Sequence, residues 1–135
     1  MRIQWDYRYS LGVPELDNQH IKLFEMVNDL MSGIESNFRH EATKGALESF
    51  LQYAQEHFST EERVMQAAGY PGYDEQKTEH QKFTGKMNEL TAKVETDSDV
   101  TSVELAAYIM SWIQNHILEA DAQIGVFIKE QKKRR

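Results

Sequence analysis

Four of the five histidines in this 135-residue chain, together with two carboxylates, recur at helical spacing along stretches that are otherwise apolar. His20, His57, Glu61, His80, His116 and Asp121 have the types and placement of ligands to a pair of metals. Imidazole and carboxylate suit iron, manganese and zinc alike, and spacing does not choose among them. Six such side chains exceed what one four-coordinate zinc can use, so two metals bridged by Glu61 and Asp121 fit better. A lone histidine on an apolar face is usually a hydrogen-bonded core residue, but an unpaired buried carboxylate is costly. A cation would satisfy both carboxylates and fix the histidine nitrogens as acceptors.

The spacings set geometric conditions. His57 and Glu61 are i and i+4, one above the other on a helix face. His116 and Asp121 are five apart, about 140° around a regular α-helix, so they share a site only from opposite flanks or across a π-bulge. Carboxylate di-iron bundles place a Glu-x-x-His pair on each of two helices. None is present here, and a histidine-rich, carboxylate-poor centre favours reversible ligand binding over strongly oxidising chemistry. His40, among Asn37, Arg39 and Glu41, reads as a surface residue.

Four helices are needed to position these groups, and the apolar periodicity supplies them. The first carries Leu16, His20, Leu23, Phe24, Val27, Leu30, Met31 and Ile34 inward, with Asp17 as its expected N-cap. The second, from about Glu41 to Ala68, turns Leu47, Phe50, Leu51, Ala54, His57, Phe58, Glu61, Val64, Met65 and Ala68 inward. Gly69 to Tyr73 then supply a turn. The third aligns Gln76, His80, Phe83, Met87, Leu90 and Val94. After a polar loop from Thr96 to Ser102, the fourth buries Val103, Ala106, Ile109, Met110, Ile113, His116 and Ile117, and Asp121, Ile124 and Ile128 extend its stripe.

Short connections between long helices predict an all-α fold, an antiparallel up-down-up-down four-helix bundle. The six ligand candidates should converge on one buried point midway along it. Residues 1–15, with Trp5, Tyr7, Tyr9, Leu11 and Val13 in near-alternation, are expected to form an extended N-terminal arm, and residues 131–135 a basic tail. The whole chain, 1–135, is expected to be one domain, since a chain of about 150 residues buries roughly 70% of its unfolded surface.

Composition narrows the partners. Fifteen basic against 22 acidic residues, a formal charge of -7, argues against nucleic acid, because phosphate neutralisation needs clustered Lys and Arg. The one basic cluster, Lys132 to Arg135, reads as a solvated helix end. With no cysteine, disulfides and thiolate ligands are excluded and any metal is held by nitrogen and oxygen. No apolar run has the length of a signal peptide or a membrane span, so a cytoplasmic protein without membrane contact is the expectation.

Taken together, the arm IQWDYRYSLGVPELDNQH, the segment HFSTEERVM with its H-x-x-x-E, the turn and helix GYPGYDEQKTEHQKF, and WIQNHILEAD with its H-x-x-x-x-D resemble the hemerythrin family over nearly the whole chain, and its bacterial single-domain members in particular. The resemblance implies two iron ions with an oxo or hydroxo bridge. His20 and His57 would bind one, His80 and His116 the other, with Glu61 and Asp121 bridging. O2 would bind at the open position of the iron that has two histidines. Trp112, Ile117, Phe58 and Leu23 are candidates for the wall around it. The departure is Gln76, which stands where the family's H-x-x-x-H places a histidine. It leaves three possibilities: a weak amide ligand, a water in its place, or an iron held loosely or lost. Glu75 and Glu79 point away and do not compensate.

The resemblance therefore implies a non-haem di-iron protein, not an enzyme, that binds O2 for carriage, storage, delivery or sensing. An enzyme turning over peroxide or nitric oxide is the alternative, and a metal-responsive interaction or sensor module with an altered site is another. No nucleophile, phosphate loop or nucleotide motif is present, and no protein partner is implied.

Overall fold

The computed structural model describes residues 3–35, 40–96 and 99–134, apart from the side chains of 34–43 and 94–103. The expectations for the side chains of Ile34, His40, Val94 and Val103, and for much of the loops beside them, lie outside the described residues. Five α-helical segments follow in order: α1 (Pro14–Glu35), α2 (His40–Ala68), α3 (Tyr73–Thr96), α4 (Asp99–Trp112) and α5 (Asp121–Lys133). Between the last two lies a π-helical segment, Ile113–Ala120, and the three run on without a break as one rod. With that rod as the fourth member, α1 packs on α2, α2 on α3, α3 on α4, and α4 returns to α1. The result is the antiparallel four-helix bundle that the periodicity predicts.

The expected stripes are largely the buried ones. Leu16, Leu23, Phe24, Val27, Leu30, Leu47, Phe50, Met65, Phe83, Met87, Leu90, Ile109, Ile113 and Ile124 are all buried. Leu51, Val64, Ala68, Met110 and Ile128 are only half-buried, and the fourth rod departs further, because Leu105 is fully buried and the neighbouring Ala106 only half-buried. The row Leu105, Ile109, Trp112 and Ile113 buries more apolar surface than a row through Ala106, at about 25 cal/mol per Å². That fixes the rotation of α4.

Three further expectations are corrected. Asp17 does not cap α1, which begins three residues earlier at Pro14, where the fixed φ of proline suits the first helical position. Instead the Asp17 carboxylate accepts from the Leu11 N–H at 2.8 Å and the Ser10 hydroxyl at 2.5 Å, tying the arm to the helix. The arm is not extended throughout, since Tyr7–Tyr9 form a 3₁₀ turn. Asn28 clasps its start, accepting from the Ile3 N–H at 2.8 Å and donating to the Ile3 carbonyl at 2.6 Å, which supplies the backbone partners a neighbouring strand would have given.

The site is also not midway along the bundle. His20 comes six residues after Pro14, and His80 seven after Tyr73. The ligand candidates thus cluster toward the end where α1 and α3 begin, and the larger apolar side chains need the remaining length. At that end α2 stops where Gly69, at φ +69°, lets the Tyr70 N–H reach the Met65 carbonyl at 2.9 Å and the Gly69 N–H reach Gln66 at 3.2 Å.

Candidate metal centre

Four rods each present their candidates to one place. α1 contributes His20, α2 contributes His57 and Glu61, and α3 contributes Gln76 and His80. The π segment contributes His116, and α5 opens on Asp121. All seven side chains are buried, with His20, His57, Glu61 and Asp121 completely so. The spacing of His116 and Asp121 is resolved by the π segment, in which the Asp121 N–H bonds the His116 carbonyl five residues back. One π turn takes up that interval, so both side chains face inward together.

Each carboxylate divides its two oxygens between two pairs of histidines. Glu61 Oε2 lies 3.0 Å from His57 Nε2, and Glu61 Oε1 lies 2.9 Å from His80 Nε2. Asp121 Oδ2 lies 3.2 Å from His20 Nε2, and Asp121 Oδ1 lies 3.2 Å from His116 Nε2. Ligand atoms of His20, His57, Glu61 and Asp121 fall within 4.8 Å of one another, as do those of Glu61, His80 and His116. Two clusters sharing a carboxylate are therefore present among the described residues.

Three residues that the spacing did not single out hold the imidazoles. The Thr60 hydroxyl donates to the Glu56 carbonyl at 3.0 Å, so its oxygen accepts from Gln19 Nε2 at 3.0 Å. Gln19 must then turn Oε1 to His57 Nδ1, at 2.9 Å, which places the ring proton on Nδ1 and leaves Nε2 as a lone pair. Glu62 does the same for His80, accepting from Nδ1 at 2.9 Å. In each case the holder is the sequence neighbour of a ligand candidate on another helix, Gln19 beside His20 and Glu62 beside Glu61. That adjacency was the available signal.

The donor set fits a cation. Holding its proton on Nδ1, His80 turns a lone pair toward Glu61 Oε1, and two electron-rich atoms 2.9 Å apart need a proton or a metal between them. His57 Nε2 and Glu61 Oε2 are buried without a well-formed hydrogen bond despite their proximity. Without metal, the cluster balances its charge by holding protons. Burial opposes a charged His57, but the nearby carboxylates of Asp121 and Glu61 prevail and raise it to about 9. His116 is raised to about 10 against the same burial, chiefly by Asp121. Burial and the like charge of Asp121 push Glu61 up, yet His116 and His57 outweigh them and lower it to about 2. Asp121 is lowered as well, the burial penalty being outweighed first by His116.

Of the expected wall residues, Phe58 stacks on His80 with ring centroids 4.0 Å apart, and Trp112 stacks on His116 at 4.7 Å. Both press mainly on the His80 and His116 half. Leu23 and Ile117 are buried as well. Gln76 is 5% exposed; its Nε2 donates to Asp121 Oδ1 at 3.2 Å, and its Oε1 has no partner. It also lines an open cavity of about 580 Å³ together with Tyr70, Asp74, Glu75, Glu79 and Gln123.

Residues 11–126 match the Hemerythrin HHE cation binding domain. The chain belongs to the hemerythrin family. Among hemerythrin relatives, the bacteriohemerythrin of Clostridium acetobutylicum is 30% identical over 123 residues, covering 88% of this chain and 95% of that protein. The bacteriohemerythrin of Methylococcus capsulatus is 31% identical, covering 87% and 88% respectively, and the myohemerythrin of Sipunculus nudus is 27% identical, covering 87% and 86%. A crystal structure of a hemerythrin leucine-to-alanine mutant superposes with a TM-score of 0.80 at 26% identity, over 93% of this chain and 95% of that one. No described helix is long and apolar enough to cross a membrane.

Proposed function

We propose that this hemerythrin-family chain is a cytoplasmic, single-domain non-haem di-iron protein that binds O2. His20 and His57 would hold one iron, His80 and His116 the other, and Glu61 and Asp121 would bridge them. The observation that carries this reading is the division of each carboxylate, one oxygen toward each histidine pair. Two ferrous ions held there would supply the electrons that reversible O2 binding requires. The chain's own part is to keep the imidazoles in the ligating tautomer through Gln19 and Glu62, and to exclude water with Phe58, Trp112, Leu23 and Ile117.

Gln76 distinguishes the second iron. A neutral amide oxygen is a poorer donor than imidazole, and its partnerless Oε1 is the atom on this chain that a weak ligand would use. The test is iron per chain in protein from iron-replete cells, together with the visible spectrum before and after O2. Up to two irons and a reversible oxygenated spectrum are expected. Tight, equal zinc in both halves would overturn the assignment.

A further inference from the structure

We propose that the open cavity beside Gln76 is the way in, and the binding place, for a small uncharged ligand on the His80 and His116 half of the site. The inference rests on the di-iron reading above and adds a route and a ligand class to it. Three observations carry it. The cavity, about 580 Å³, has Gln76 in its lining, and Gln76 is hydrogen-bonded to the candidate bridge Asp121, so the cavity ends one side chain from the metal ligands. Gln76 is 95% buried, the complement of its 5% exposure, and offers a carbonyl oxygen with no protein partner. The rim has a sign: Asp74, Glu75 and Glu79 stand against one cation, Lys82, which already lies 3.8 Å from Glu79.

That rim discriminates by charge. An anion approaching three carboxylates and one ammonium meets net repulsion, whereas an uncharged molecule does not. Elsewhere on this half the rings of Phe58 and Trp112 cover His80 and His116, and a second open cavity, of about 300 Å³, reaches His80 beside Glu62, which holds the ring's Nδ1 and not the Nε2 turned to Glu61. The slimmer amide of Gln76, its Oε1 without a partner, stands where the family resemblance places an imidazole and therefore gives the second metal its own approach, with selection for neutral ligands at the mouth.

Nitric oxide and azide are the probes, mixed with the iron-loaded full-length protein and followed by absorption. Thr78→Trp, on α3, and Gln123→Trp, on α5, plug the cavity, both being exposed residues of its lining. Each plug should slow nitric oxide binding several-fold at unchanged iron content. Neutralising the rim with Glu75→Gln and Glu79→Gln should speed azide roughly threefold at low salt, leave nitric oxide alone, and lose its effect as ionic strength rises. Unchanged nitric oxide rates in both plugged variants would overturn the route.

A second arm separates this inference from the iron assignment. The chain has no cysteine, so Gln76→Cys creates a single thiol, whose labelling is followed in the full-length chain after chelation, with helix content checked by circular dichroism. A neutral methanethiosulfonate should label it faster than an anionic one, relative to a free thiol, and Gln123→Trp should slow both. Equal relative labelling, or indifference to the plug, would defeat the cavity whatever metal the protein holds. Wild-type protein without iron would defeat the metal reading, while the labelling would still decide the cavity.

Discussion

The two halves of the buried cluster are made of the same ligand types but are built differently. On one side His20 and His57 are completely buried, and His57 is fixed by the relay through Gln19 and Thr60 to the Glu56 backbone. On the other, His80 leans on the half-buried Glu62, both rings are backed by aromatic side chains, and the remaining place belongs to an amide facing an open cavity. On the proposed di-iron reading, one half is organised for retention and the other for exchange. A bridged centre can therefore divide its labour between two metals without any difference in the carboxylates that join them.

The severest way to break the contrast is to remove what the halves share. Glu61→Ala should abolish metal binding in both, and in the metal-free protein should cost about 3–5 kcal/mol in urea unfolding, because it leaves buried imidazoles without their counter-charge. Metal retained in either half of this variant would show that Glu61 is not a bridge. Gln19→Leu acts on one half alone. Loss of the acceptor for His57 Nδ1–H should weaken that metal by about 10- to 100-fold and accelerate only the slow phase of iron release to a chelator. Acceleration of both phases would mean that the halves are not separable.

Gln76→His should erase the asymmetry from the opposite side. The fast phase of release should merge with the slow one and the oxygenated spectrum should decay more slowly, with helix content unchanged. Matching iron content and matching decay in the two proteins would make Gln76 a spectator. The smallest effect sharpens the contrast by cutting across it, since each half holds one proton-rich histidine. With His57 raised from 6.5 to about 9 and His116 to about 10, their contribution to metal-free stability is complete below pH 6.5 and drains away as pH rises toward those values. With Glu61 lowered from 4.5 to about 2, its contribution is complete above pH 4.5 and is lost as pH falls toward 2. Metal-free protein should be most stable between pH 4.5 and 6.5, whereas metal affinity should climb as pH rises past that window, because binding displaces both histidine protons. Urea midpoints at pH 6 and 9, with and without metal, check both trends; parallel trends would refute the proton exchange.

Much of this was readable from spacing alone, for a definite physical reason. A buried helix face repeats every three to four residues, so His20, His57, Glu61, His80 and His116 declared their side of the bundle by the leucines and phenylalanines in line with them. What spacing could not carry was contact between helices. The hold of Gln19 on His57 joins residues 38 apart, and that of Glu62 on His80 joins residues 18 apart. The rotation that buries Leu105 depends on the neighbouring rods, and the clasp of Asp17 on the arm uses a residue whose type suggested a cap. The five-residue interval to Asp121 posed a choice between two geometries, and only the backbone decided it.

The π segment also ties the register of the last rod to its pitch. Straightening Ile113–Ala120 to an ordinary α pitch at its present length would leave helix content almost untouched. Everything downstream would nevertheless turn by about 100°. Asp121 would leave the histidines, and Gly125, where a Cβ would lie only 2.7 Å from the Leu11 carbonyl, would no longer sit beneath the arm. A change of pitch within Ile113–Ala120, nearly silent in helix content, would thus unfasten the proposed metal bridge and the N-terminal arm together.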